Sequence, residues 1–318
     1  MTISDILHNI NSTRFMDVSK RALLVMDGAE SLDLLHRIST NDFSNVPEAG
    51  VRHAILTNEK GRIVDKITAL RMAQGQLLVA CTSTDAARIQ GWIEKFIIME
   101  QITVQAVGDE YSHIILFDSG PQAFNRLELN TQSSIYTEVR FSAQAEHSPV
   151  AIGWFETFNS ISLTHILGRG ITPDIFFRLL ESAGIRRATG RDFEEYRIRH
   201  GIPAHPNELS DAYNPLEARL TNLISFTKGC YIGQEVIARL DTYQKVQKHL
   251  ARLSLSAKPS AVPTPLRSAD ADVGILTSAI ETNNEVFGLG YLRTQLLNQN
   301  APVFLIDGEL RIEVKVLN

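Results

Sequence analysis

Strand- and helix-period segments alternate through residue 246 and give way to closely spaced short strands, so the sequence predicts an α+β protein ending in a small antiparallel β-barrel or sandwich. Three observations carry this. A strand–helix–hairpin–strand–helix order fills the first hundred residues. A looser version of the same order follows it. From about Lys248 the pattern changes to two-residue alternation broken by turn residues. The expected domains are therefore 1–246, as two α+β subdomains of roughly 1–100 and 101–246 with intertwining allowed, and 247–318.

Taken in order, residues 1–20 read as a short amphipathic helix and an irregular lead. Arg21–Met26 is a strand, and the Asp27-Gly28 turn opens a helix over Ser31–Ile38 with Leu32, Leu35 and Ile38 on one face. His53–Thr57 and Arg62–Leu70 are strands joined by the turn Asn58-Glu59-Lys60-Gly61, a hairpin signal. The strand Gln76–Cys81 leads to a helix capped by Ser83 or Thr84 and running to Ile97. Further strands are expected at 104–107, 112–117, 135–141, 150–155 and 160–167, with a short helix opened by Gly120-Pro121. Asp174–Gly184 is a helix with a glycine C-cap, and Asp192–His200 is one stopped by Gly201-Ile202-Pro203. Residues 201–222 form a long polar loop, a length that is usually functional when ordered. Five barrel strands are expected at 249–255, 272–277, 286–291, 302–306 and 310–316, with Pro263-Thr264-Pro265 and Ile306-Asp307-Gly308 as punctuation.

Composition narrows the function classes. With 318 residues there is ample chain for a core, and a net charge of −5 with no basic run speaks against a nucleic-acid surface. Two cysteines, Cys81 and Cys230, are too few for a disulfide framework and fit a reducing compartment. The first twenty residues carry Asp5 and Asp17 and lack an apolar h-region, and no apolar run reaches the roughly 20 residues of a membrane helix. A soluble, cytoplasmic protein is expected.

The most informative stretch is Lys228-Gly229-Cys230-Tyr231-Ile232-Gly233-Gln234-Glu235. It reads as a strand over Ile224–Thr227, a glycine-punctuated turn, and a helix from about Gly233. Glycines at 229 and 233 allow positive φ or close backbone approach. Cys230 would stand just before a helix N-terminus and two residues after Lys228, both of which favour a thiolate; a small buried hydrophobe is the plainer alternative. Tyr231, flanked by glycines, offers a stacking face. Cys81 lies in an apolar strand and is structural. His200, His205 and Cys230 lack the spacing of a closed zinc site, so no metal is expected.

This octapeptide resembles the signature of the YgfZ family, folate-binding proteins of iron–sulfur maintenance related to the glycine-cleavage aminomethyltransferase (T-protein). Gly28 through Gly61-Arg62-Ile63-Val64-Asp65, Tyr196–Pro203, Asn214–Glu217, Val273–Ser278 and Gly288–Leu292 resemble further family blocks in the same order. The resemblance implies ferredoxin-like α+β subdomains and a C-terminal β-barrel around a central hole holding tetrahydrofolate or a one-carbon derivative. It implies Cys230 as functional thiol, with Lys228, and Asp65, Arg199, Glu217, Tyr231 and Gln234 around the folate. Iron–sulfur assembly proteins or their client enzymes would be the partners.

Two departures separate the chain from the T-protein. The paired aspartates after the T-protein's glycine hairpin are Asp65-Lys66 here, and the glutamate that holds the pterin is Arg199, which has no acceptor to offer. Lys66 beside Asp65 is expected to favour the ionised acid. Arg199 either pairs with Glu194 or Glu195 on its own helix or holds a folate carboxylate, and Glu217 either caps the next helix or reaches the pterin. Three functions remain in view: a folate-binding accessory factor, a folate-dependent aminomethyltransferase, and a scaffold with a vestigial pocket.

Overall fold

In the computed structural model, which describes residues 13–118, 135–140, 150–158, 161–182, 184–297 and 302–317, the alternating segments pair into two sheets and a closed barrel. Of the helix and irregular lead expected over residues 1–20, residues 1–12 lie outside the described residues and Arg14–Asp17 is a strand; the helix expected at Gly120-Pro121 also lies outside them. The chain divides into two compact units, Met1–Ala54 with Ile67–Gly190, and Ile55–Lys66 with Arg191–Asn318.

The first unit carries β1 (Arg14–Asp17), β2 (Leu23–Asp27), α1 (Ser31–Ile38), β3 (Val51–Thr57), β4 (Ile63–Arg71), β5 (Leu77–Cys81), α2 (Ala86–Glu94) and β6 (Thr103–Ala106). There follow β7 (Tyr111–Phe117), β8 (Thr137–Arg140), β9 (Val150–Phe158), β10 (Ile161–Arg169), α3 (Pro173–Ser182) and β11 (Arg186–Arg187). Strands β3 and β4 run on into the second unit at their hairpin tip. One sheet has the order β3-β4-β5-β2-β6 and the other β11-β1-β7-β10-β9-β8. Strand β1 joins the later sheet, antiparallel to β7 and parallel to β11, so the two halves exchange a strand. Leu23, Leu70 and Leu78 of the first sheet share a buried cluster with Trp154 and Leu167 of the second, which stacks the sheets face to face. The opposite face of the second sheet, through Phe15, Leu116 and Ile166, is covered by Phe176, Phe177 and Leu180 of α3. Each such side chain contributes about 1.5–3 kcal/mol on burial.

Helix α1 forms over the residues its periodicity marks. Helix α2 begins later than Ser83 or Thr84 suggests: Asp85 is the cap, accepting from the Arg88 N–H at 2.9 Å, while Ser83 Oγ accepts from the Asp85 N–H. It also ends at Glu94 rather than Ile97. Helix α3 closes as a Schellman motif, with Gly184 at φ 80° and Ile185 N–H donating to the Leu180 carbonyl.

Between the sheets lies a polar chain. His113 Nε2 is 3.0 Å from His165 Nδ1, and His165 Nε2 is 3.2 Å from Glu156 Oε2, with Trp154 stacked on His165 at 4.9 Å. Burial holds the His113 imidazole well below its usual range, reinforced by His165 and Arg21 and opposed by Glu156. A histidine whose folded pKa is depressed contributes stability above its unfolded pKa, near 6.5, and loses it as pH falls below that value. The unfolding free energy, and the thermal midpoint with it, should therefore fall as pH drops through about 6.5. His113→Gln should flatten it; an equal slope in that variant would remove His113 as the cause.

The second unit carries α4 (Gly190–His200), α5 (Gln234–Thr242), β12 (Lys248–Leu255), β13 (Thr264–Ser268), β14 (Ala271–Thr282), β15 (Glu285–Arg293), α6 (Thr294–Leu297), β16 (Val303–Asp307) and β17 (Leu310–Leu317). The strands close into a barrel, β12-β15-β14-β13-β16-β17, around Leu253, Leu266, Leu276, Leu292, Leu305 and Ile312. Strand β13 was hidden by the two prolines flanking Thr264. Pro265 opposes Ile275, and the ladder shifts after Leu266, the irregular place in a sheet where proline is tolerated. The strand expected at Ile224–Thr227 does not form. A 3₁₀ turn at Thr221–Leu223 takes the Ile224 N–H instead, and Ile224 packs with Leu216, Tyr231 and Ile237.

Candidate functional site

All seven candidate residues fall in the second unit. Two turns hold them together, and two glycines allow it. The hairpin tip is organised by Asn58, whose Oδ1 accepts from the Lys60 and Arg62 N–H groups while Gly61 takes φ 65°. The signature turn ends at Gly233, φ 79°, the N-cap of α5. A Cβ on Gly233 would meet the Asn58 carbonyl oxygen at 2.5 Å and Gly61 Cα at 2.8 Å, so the two backbones touch at a distance only glycine permits. Thr57 Oγ1 donates to the Ile232 carbonyl at 2.6 Å beside this contact. The hairpin bearing Asp65 and the turn bearing Cys230 are thus one rigid piece.

Cys230 is exposed on that piece, three residues ahead of the α5 cap. Lys228 is buried and its Nζ lies 4.9 Å from the ring centroid of Tyr231. Tyr231 itself is buried among Leu216, Ile224 and Ile237, and burial pushes its phenol up to about 12. One ring face is therefore occupied by an ammonium rather than standing open for stacking. Gln234 opens α5 and is half-buried. Asp65 is fully buried in β4, and as consecutive residues of one strand it and Lys66 leave on opposite faces.

Arg199 lies 3.1 Å from Glu195 through Nε, 3.9 Å from Glu285, and stacks over Phe287 at 4.2 Å. Glu217 forms a reciprocal cap with Asn214: its Oε2 accepts from the Asn214 N–H at 2.9 Å, and Asn214 Oδ1 accepts from the Glu217 N–H. The same Oε2 receives Arg62 Nη1 at 3.1 Å. Glu217 thus closes a turn that begins at Asn214, where turns rather than the expected helix follow over residues 215–219.

A buried network that the sequence reading missed surrounds the loop between α4 and the signature. Helix α4 ends in a Schellman motif, Gly201 at φ 73° and Ile202 N–H on the Arg197 carbonyl, which sends the chain into Pro203. Glu208, with no exposed surface, accepts from Arg197 Nη1 (3.0 Å), Ala204 N–H (3.1 Å), Thr277 Oγ1 (2.6 Å) and Ser278 Oγ (2.7 Å). Its backbone carbonyl receives the Tyr291 hydroxyl at 2.7 Å, and Tyr291 stacks on Tyr213 at 3.6 Å. Burial, with Glu208 and Glu217 nearby, pushes the Tyr213 phenol up to about 12, so both rings stay neutral at physiological pH. Glu208 thereby fixes α4, the loop and barrel strands β14 and β15 to one another. Arg197 lay within a family-like block, but no sequence signal marked Glu208.

The GCVT N-terminal domain model matches residues 2–148. A chloroplastic protein of Arabidopsis thaliana named as a candidate transferase is 27% identical over 290 residues, 90% of this chain and 66% of that protein. The aminomethyltransferase of Thermoanaerobacter pseudethanolicus is 22% identical over 72% of this chain and 64% of its own length, and that of Flavobacterium psychrophilum 23% over 91% and 82%. The chain spans about two thirds of the length of the first two relatives. The crystal structure of the glycine cleavage system aminomethyltransferase T from Bartonella henselae superposes with a TM-score of 0.79 at 17% identity, covering 99% of this chain and 88% of that one. The fold is thus that of the aminomethyltransferases, and the sequence is similar to theirs. No helix among the described residues is long and apolar enough to cross a membrane.

Proposed function

We propose that this chain, built on the aminomethyltransferase fold, is a tetrahydrofolate-binding accessory factor for assembly or repair of iron–sulfur enzymes, of the YgfZ type, working in a reducing cytoplasmic compartment. The observation that carries the reading is the exposed Cys230 on a turn locked by Gly233 to the hairpin of Asp65. A reactive thiolate needs access and a fixed position, and this turn supplies both. Asp65, Arg199, Glu217, Tyr231 and Gln234 are the residues proposed to line or support the folate site, with Lys228 holding the Tyr231 ring.

A second reading, a folate-dependent aminomethyltransferase, is supported by the similarity to enzymes of that name. Against it stand Lys66 and Arg199 where the resemblance leads one to expect acids. Calorimetric titration with tetrahydrofolate and its formyl derivative tests the shared premise. Saturable binding well below about 1 mM is expected. Absence of binding at that concentration would discard the folate site and leave an interaction scaffold. Methylene transfer from an aminomethylated lipoyl carrier would instead promote the second reading over the first.

A further inference from the structure

Strands β12 and β15 place Lys248 directly opposite Arg293. Directly opposed residues of an antiparallel pair share a face, with Cβ atoms about 4.5–5.5 Å apart, and like charges there destabilise the sheet. The next pair on that face is Leu250 with Tyr291, whereas the barrel core is filled by the alternate residues Ala251, Leu253 and Leu292. Both cations therefore lie on the outer face of the barrel, beside the Tyr213–Tyr291 stack. Lys248 Nζ is 4.6 Å from the Tyr213 ring centroid and 5.6 Å from that of Tyr291. Neither cation pairs with a described carboxylate.

A third cation is anchored to the loop that carries Tyr213. Arg62 spends Nη1 on the Ala212 carbonyl (3.2 Å) and Glu217 Oε2 (3.1 Å), which fixes its plane and leaves the Nε–Nη2 edge without a described acceptor. Glu217 is buried and committed to Asn214 and Arg62, and the exposed Asp211 pairs with none of the three. Lys248 lies on the Tyr213 ring and Arg62 on the neighbouring Ala212 carbonyl and on Glu217, while Arg293 opposes Lys248 in a register that repels. A guanidinium with one edge held and the other open is arranged for a planar oxyanion, and a lysine opposite a second arginine in the ladder adds positive charge for a second anionic group.

We propose that Lys248, Arg293 and Arg62 form a binding site for a flexible multivalent anion bearing carboxylate or phosphate groups. It can fail independently of the folate reading, because the probes that test it carry no pterin, although Glu217, which holds Arg62, belongs to both. Calorimetry on the full chain with tri-γ-glutamate and with inorganic tripolyphosphate separates the two chemistries by which of them saturates. The variant pair is Lys248→Met, which keeps the aliphatic stem against Tyr213, and Arg293→Gln at an exposed position. The double variant should bind the successful probe at least about tenfold more weakly. Without ligand, Arg293→Gln alone should raise the thermal midpoint by about 1–3 °C, since it relieves the opposed charges. Failure of both probes to saturate below about 10 mM, or wild-type affinity in Arg293→Gln and the double variant alike, would overturn the site.

Discussion

Replacing Glu208 by alanine is expected to destabilise the protein by about 3–5 kcal/mol, a large share of the stability of an ordinary domain. The carboxylate is the only described acid besides the half-exposed Glu194 that neutralises the buried Arg197 guanidinium. Without it, the part-buried Ala204 N–H and the buried Ser278 hydroxyl also lose an acceptor, while the Thr277 hydroxyl keeps the Leu289 carbonyl at 3.0 Å. Glu208→Gln keeps the shape but turns an NH2 toward a set of donors, so it should recover only part of the loss. Joint replacement with Arg197→Met should cost less than the two single changes added together, because the ion pair's main contribution is to avoid leaving either charge alone. Denaturant unfolding of the wild type and the four variants measures this directly. A loss below about 1 kcal/mol for Glu208→Ala would mean that the network is decoration on a loop held by its apolar contacts.

The network also shows where sequence reading stops. Helix α1 and five of the six barrel strands were legible because their evidence is local, a 3.6-residue apolar period or a two-residue alternation between turns. Strand β13 was not, because Pro263 and Pro265 present the same signal whether they end a strand or sit at a bulge within one. Strands β1 and β11 are four and two residues long and exist only by pairing with each other and, through β1, with β7, about a hundred residues or more from β1. Glu208 follows the same logic: it stands in a polar loop, and its partners lie at positions 197, 204, 277, 278 and 291. Within the candidate site, the glycines of the hairpin and of the signature were legible, but not that they touch. The open ring face expected of Tyr231 gave way to burial, since the ammonium that occupies it comes from the same octapeptide yet leaves no periodic trace.

Cys230→Ser is expected to abolish support of iron–sulfur enzymes while leaving the fold within about 0.5 kcal/mol of wild type. The two halves of this expectation come from different observations. Exposure of the side chain means that exchanging sulfur for oxygen creates no cavity and buries no hydroxyl, so stability has little reason to change. Loss of function follows from nucleophilicity: at neutral pH a serine hydroxyl carries almost no anion, whereas a thiol carries a useful fraction even at an ordinary pKa near 8.5. Cells carrying the variant at wild-type protein level should therefore resemble cells lacking the protein in the activity of their iron–sulfur enzymes. Alkylation of the purified wild type as a function of pH supplies an independent reading, because Cys81 is buried and Cys230 is the exposed thiol. A labelling midpoint below about 8.5 would place a stabilised thiolate on the signature turn. Full enzyme activity in the Cys230→Ser cells would remove the thiol from the mechanism, whatever its midpoint, and would shift attention to the folate residues and to the cationic face of the barrel.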